Sequence, residues 1–244
     1  MKIYADVVQG TDAWLHLRLG IPTASNFHKI VTPKKCELSK GAIDYALRLC
    51  AERLLNASGE AVIENQWVER GKELEPLAVK QYEFQYDVAT FPVGFITNDE
   101  GTIGCSPDRL VLSDERIALE VKCPSPHVHL GYLLNGTDDD YKPQVQGQLY
   151  VAELDMAELY SYHPQMTPAL IRNTRDQEYV AKLADALKRF NENLNAMFVR
   201  ARALGVYQPT PRVAIPAEAV EMADIARHFR AESADKMLKE GFVA

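Results

Sequence analysis

The sequence predicts an α/β protein. Three observations lead there. Apolar residues recur at helical spacing in three long stretches, 39–57, 65–86 and 175–204. Shorter β-rich runs lie at 91–97, 117–122, 156–162 and 169–173. The chain has 244 residues, 47% hydrophobic and 25% charged, which suits one large domain or two small ones.

Composition excludes several classes. No apolar run reaches ~18 residues, so no membrane span is expected. The opening MKIYADVVQG has no apolar core and does not read as a secretory signal. Cys36, Cys50, Cys105 and Cys123 form no C-x-x-C pair and read as reduced thiols in a cytosol. The formal charge of −7 argues against coating nucleic acid by bulk charge. It leaves room for a local basic pocket that grips one DNA end.

Taken in order, residues 3–8 form a short strand or an extended lead-in. Thr11 or Asp12 caps a helix from Ala13 to Leu19, ended by Gly20. Thr23 is the N-cap of a second helix, Ala24 to Val31, which stops before Pro33. The free N–H groups of that helix start could hold a phosphate, with Arg18 and Ser25 adding donors. The alternative is a plain capped helix with a surface arginine. Lys34, Lys35 and Lys40 in the loop 32–40 either track a DNA backbone or are simply solvated. Ser39 opens a helix to Ala57 with Ile43, Ala46, Leu47, Cys50 and Leu54 as its apolar stripe.

The helix from Asn65 to Tyr86 carries a seam of Gly71, Glu75, Ala78 and Tyr82. A carboxylate on such a seam is costly unless it is paired or bound to metal. Glu75 is therefore a candidate acid, or a partner of a core arginine, or a residue at the seam's edge. Gly71 is expected to admit a second backbone. Residues 91–97 form one strand, followed by a turn at Asp99-Glu100-Gly101. Residues 125–137 form a helix or loop, in which His127 and His129 with Cys123 fit no standard zinc spacing. Those histidines are read as unliganded and near DNA. Asp138, Asp139 and Asp140 favour a helix start, with Pro143 tolerated in its first turn. Tyr141, Gln144 and Gln148 then share one face, fit to hold a water or phosphate, or to form the polar flank of a core helix. Two antiparallel strands follow, 156–162 and 169–173. The helix 175–204 has a seam of Tyr179, Leu183, Leu187, Phe190, Leu194 and Met197. The expected division is a domain over 1–204, a proline-rich linker over 205–216 and a helical tail over 217–244.

The stretch Thr102 to Pro124 carries the chemistry. It reads as strand, turn, strand. Asp108 follows Pro107 at the bend, and Glu120 and Lys122 stand two residues apart on the next strand. Alternation puts Glu120 and Lys122 on one face, about 6.6 Å apart at Cα, with Leu119, Val121 and Cys123 on the other. Two carboxylates can hold a hard cation such as Mg²⁺ and leave positions for water and a phosphate oxygen. A lysine there can orient a nucleophile or stabilise developing negative charge. The alternative is an edge hairpin with an exposed Glu–Lys pair.

These motifs together resemble the phage lambda exonuclease family, the YqaJ-like viral recombinase nucleases, over residues 9–200. The resemblance is carried by Ala13-Trp14, Leu17-Arg18-Leu19-Gly20, Thr23-Ala24-Ser25, Gly71-Lys72 with Glu75, and Cys105-Ser106-Pro107-Asp108. It continues through Leu119 to Pro124 and Tyr141 with Gln144-Val145-Gln146. It implies a restriction-endonuclease-like core, a central mixed sheet flanked by helices. It implies 5′→3′ digestion of duplex DNA from a 5′-phosphorylated end, dependent on Mg²⁺, with two ions and with Mn²⁺ as a substitute. In that likeness Asp108, Glu120 and the Val121 carbonyl hold metal, and Glu75 is a further acid. Lys122 and Gln144 position water, with Tyr141 nearby. Arg18, Ser25 and Ser106 form the 5′-phosphate pocket, and Trp67 or Val68 wedges the DNA end. A homotrimeric ring, a single-strand annealing partner and a place in the cytoplasm of a phage's bacterial host are also implied. Arg109 departs from the family's usual glycine and is read as a cation for the scissile phosphate or a change in the turn. The rival readings are a structure-specific endonuclease and a non-catalytic DNA-end-binding module.

Overall fold

The computed structural model describes residues 1–58, 66–113, 115–136 and 139–205, with the side chains of 66–68 and 72 outside that description. The wedge candidates Trp67 and Val68, the linker beyond Gly205 and the tail over 217–244 therefore lie outside the described side chains or residues. The elements in chain order are β1 (Lys2–Tyr4), α1 (Asp12–Arg18), a 3-10 segment Ala24–Lys29, α2 (Ala42–Leu55) and α3 (Gln66–Tyr86). Then come β2 (Ala89–Pro92), β3 (Phe95–Thr97), β4 (Gly104–Cys105), β5 (Arg109–Leu112) and β6 (Arg116–Lys122). The chain continues through α4 (Pro126–Asn135), α5 (Lys142–Val151), β7 (Met156–Ser161), β8 (Ala169–Thr174) and α6 (Gln177–Ala203).

The larger sheet has the order β2-β5-β6-β7-β8. Only β6 and β7 pair in parallel, with α4 and α5 in the crossover, so the sheet is mixed. A small antiparallel sheet, β1-β3-β4, stands beside it. Alternation along β6 sorts the layers. Ile117, Leu119 and Val121 face α3 and pack with Ala78, Val79, Tyr82 and Tyr160. Ala118 faces the other way, into the main core with Leu149, Leu183, Leu187 and Phe190. Glu120 and Lys122 share the face of Ala118 and so look toward α5. Among the described residues no helix is long and apolar enough to cross a membrane.

Four expectations change in the fold. Residues 91–97 are two strands, not one, because the chain leaves the large sheet at Pro92 and enters the small one at Phe95. Gly94 makes that step possible: a Cβ there would lie 2.0 Å from the Val7 carbonyl oxygen and 2.7 Å from that of Tyr4. The stripe of α2 is rotated. Ile43 and Leu47 are 67% and 54% exposed, while Tyr45 and Leu49 are buried. The ring of Tyr45 stacks on Phe190 at 5.7 Å, so the larger aromatic decided which face α2 turned to α6. The segment after Thr23 is a six-residue 3-10 turn, and the Thr23 side chain does not cap it. No α-helix N-terminus stands there to attract an anion. Gly71 meets no second backbone, since a Cβ there would touch nothing within 4 Å.

Helix α5 reaches the sheet because Gly147 lets it. A Cβ at Gly147 would come within 2.5 Å of the Phe27 ring and 3.3 Å of Ala24. Phe27 is fully buried and has nowhere to move. Gly147→Ala is therefore expected to lower stability by about 1–3 kcal/mol, the cost of overpacking. Urea unfolding checks this, and an unchanged midpoint would contradict it.

Candidate active site

Glu120 is the centre of the site. Its Oε1 accepts from Lys122 Nζ at 2.6 Å and from Gln144 Nε2 at 3.1 Å. Its Oε2 accepts from Gln148 Nε2 at 2.9 Å. Lys122 comes from the same strand two residues on, and the two amides come from successive turns of α5. The predicted face of α5 is thus real, and its target is a carboxylate. Gln148, 2% exposed, belongs to the site as fully as Gln144 does. The i, i+4 spacing was the signal for it.

Asp108 joins from the bend before β5. Its Oδ2 accepts the Val121 N–H at 2.7 Å, which fixes it beside Glu120 across the β5–β6 pair. The bend is braced from below, where Gln9 Nε2 donates to the Pro107 carbonyl at 2.9 Å and to that of Val93 at 2.7 Å. Burial first, and then the charge of Glu120, push the Asp108 carboxyl up to about 8 against the opposing pull of Lys122 and the Val121 N–H. Burial alone would lower the pKa of Lys122, but Glu120 and Asp108 reverse this and raise it. Lys122 is therefore an ammonium and acts as a fixed positive charge.

Glu75 is exposed, at the edge of its seam rather than in it. Asp108, Arg109 and Cys123 all feel its charge, so it lies within electrostatic reach of the pair. Among the described residues, no three acidic, histidine or cysteine side chains stand close enough to form a metal cluster by themselves. A cation would be met by two carboxylates, with the Val121 carbonyl as the main-chain candidate. Those hard oxygens suit Mg²⁺ or Mn²⁺, and the raised Asp108 pKa is the strain that a divalent cation would relieve.

The proposed phosphate residues are organised around Trp14. The Arg18 guanidinium sits 4.0 Å from the centre of the Trp14 ring. Trp14 Nε1 donates to Ser106 Oγ at 3.1 Å and to the Gly94 carbonyl at 2.9 Å. Thr23 bridges to Gly104, which ties the segment carrying the exposed Ser25 to β4. Burial and Glu120 raise the pKa of Cys105 while Arg18 lowers it, so the arginine and the carboxylate centre bear on one residue. Trp14 was visible in sequence only as part of a motif. Its reach to Ser106 spans 92 positions and left no local signal.

Two side chains, Arg109 and His129, are placed differently from expectation. Arg109 pairs across the hairpin with Leu119 and so faces α3, away from Glu120 and Lys122. Its Nε donates to Thr90 Oγ1 and its Nη2 to the Thr90 carbonyl, so these donors serve the sheet edge, not a scissile phosphate. His129 is fully buried between Ser161 Oγ at 2.7 Å and the Thr167 carbonyl at 3.0 Å, a core histidine out of reach of DNA. Tyr141 bonds to Tyr132, whose hydroxyl donates to it at 3.2 Å. Tyr132, which sequence reading passed over, sits close enough to feel both Lys122 and Glu120.

A mixed sheet bearing a Pro-Asp bend and a Glu-x-Lys strand is the arrangement of the PD-(D/E)-x-K nuclease class. The model of the YqaJ-like viral recombinase domain matches residues 13–155, more than half of the chain, and the chain belongs to that family. In fold it is similar to the alkaline exonuclease of Laribacter hongkongensis, at 26% identity and a TM-score of 0.70, over 80% of this chain and 98% of that one. A structure of that enzyme in complex with dAMP matches with the same figures. A phage-related exonuclease from Haemophilus somnus 129PT shares the fold at 16% identity and a TM-score of 0.59, over 74% of this chain and 96% of that one. None of the curated proteins matches the chain.

The raised Asp108 pKa has a signed consequence for the metal-free protein. A folded-state pKa above the unfolded value means stability that is full below about 4 and is lost as pH rises through about 8. In EDTA, Asp108→Asn should therefore exceed the wild type in stability by about 1–3 kcal/mol near pH 9, with the gap closing near pH 5. Thermal melts across that range check it. A gap that widens toward acid would contradict the assignment.

Proposed function

We propose that the chain is a metal-dependent exonuclease that degrades one strand of linear duplex DNA from a 5′-phosphorylated end. It releases 5′-mononucleotides and leaves a 3′ single strand for an annealing protein. The observation that carries this reading is the Glu120 carboxylate, held by Lys122, Gln144 and Gln148 beside Asp108. Membership of a viral recombinase family and likeness to an alkaline exonuclease support it.

Asp108, Glu120 and the Val121 carbonyl would hold Mg²⁺, with Mn²⁺ able to replace it, and Glu75, within electrostatic reach, would serve a second ion. When bound, the metal activates the attacking water and neutralises charge at phosphorus. Lys122, kept protonated by its two carboxylate neighbours, stabilises charge on the phosphate oxygens. Gln144 aims the nucleophile with its amide. Arg18, steadied on Trp14, receives the 5′-terminal phosphate together with Ser106 and Ser25. That pocket supplies the polarity, because only a phosphorylated end offers the guanidinium a charge-assisted contact. A homotrimeric ring would keep an acidic chain on its DNA by enclosure.

Linear duplex with each strand end-labelled separately tests this reading. With Mg²⁺, the 5′-phosphorylated strand should be shortened to mononucleotides while the 3′-ended strand survives. A 5′-hydroxyl end should be digested more slowly, and a closed circle and an EDTA reaction should show no loss. Asp108→Asn and Lys122→Gln should each cut the rate by at least about 100-fold with the far-ultraviolet spectrum unchanged. Cutting of the closed circle would favour an endonuclease. Equal rates on both kinds of end would remove Arg18 from its role.

A further inference from the structure

We propose that Gln148 is a positioning residue that sets the metal affinity of this site; the inference rests on the reading of Glu120 as a metal ligand. Both other donors to Glu120, Lys122 and Gln144, bond to Oε1. Lys122 is the stronger of the two by charge and by its 2.6 Å approach. Left to those two, the carboxylate is free to turn about Oε1 and collapse onto the ammonium. Among the described residues only Gln148 donates to Oε2, at 2.9 Å. It therefore opposes the pull of Lys122 and fixes the plane in which Glu120 presents itself beside Asp108.

Its own placement is rigid. Gln148 is 2% exposed, one turn beyond Gln144 on α5. The neighbouring Gly147 seats the helix against Phe27 and Ala24. The contrast with Gln146 is informative. Gln146 is also buried, but it bonds to the Thr174 carbonyl and the Asp176 N–H, which ties α5 to the start of α6. Two buried glutamines two residues apart thus face opposite tasks, one structural and one directed at the carboxylate.

The test is calorimetric titration of the full-length protein with Ca²⁺ and with Mn²⁺, alongside Mg²⁺-dependent digestion. Gln148→Met keeps the volume and removes the donor. Gln148→Asn keeps an amide but withdraws it by one methylene. Each is expected to weaken metal binding by about 10–100-fold, the usual effect of removing a partner of a metal ligand. The Mg²⁺ concentration for half-maximal rate should rise in step, while the KM for DNA stays put. A merely structural glutamine would lower the melting temperature without moving metal affinity. Unchanged affinity in either folded variant overturns the proposal. A wild type that binds neither ion removes the metal reading of Glu120 itself, and this inference falls with it.

Discussion

A single carboxylate with three donors ties the structure together. Glu120 sits on the third strand of a five-stranded sheet, and two of its three partners sit on α5. The sheet must therefore present that face to the helix, and the helix must come close enough to reach it. Both conditions are met by packing remote from the chemistry. Ala118, on the same face of β6, is small enough to admit the main core, and Gly147 lets α5 lie against Phe27. The parallel pairing of β6 with β7 requires a crossover, and that crossover is what carries α5 over the site.

Charge bookkeeping explains why the cluster holds together and why it is unfinished. Two carboxylates and one ammonium share a small, largely shielded space. Burial and the charge of Glu120 raise the pKa of Asp108, and Lys122 opposes them only in part. The Lys122–Glu120 pair is only partly buried, so the lysine matters more to the chemistry than to stability. A bound dication would supply the positive charge that lets both carboxylates ionise. Arg18 rests on the face of Trp14, which helps to fix its guanidinium.

Much of this was legible in the amino-acid order. Strand alternation put Glu120 and Lys122 on one face, and helical spacing put Tyr141, Gln144 and Gln148 on another. What could not be read was which face met which. The partner of the Gln148 amide lies 28 positions away, and the indole of Trp14 reaches Ser106 across 92. Arg109 looked like a cation beside the metal because it follows Asp108. Its pairing with Leu119 turned it to Thr90, and that register is a property of the hairpin, not of the motif. The strand 91–97 looked continuous because its residues favour β structure throughout, and only the closeness of Val7 and Tyr4 to Gly94 divides it. Glu75 followed the helical seam in sequence, yet it stays exposed while Ala78, Val79 and Tyr82 of the same helix are buried.

The central claim is that Asp108 and Glu120 together form the metal site. Anomalous diffraction from crystals of the protein soaked in Mn²⁺ tests it most directly. The account predicts a peak between the two carboxylates, near the Val121 carbonyl, and its loss in Asp108→Asn. A strong peak elsewhere, with none at that pair in crystals whose protein digests DNA with Mn²⁺, would contradict it.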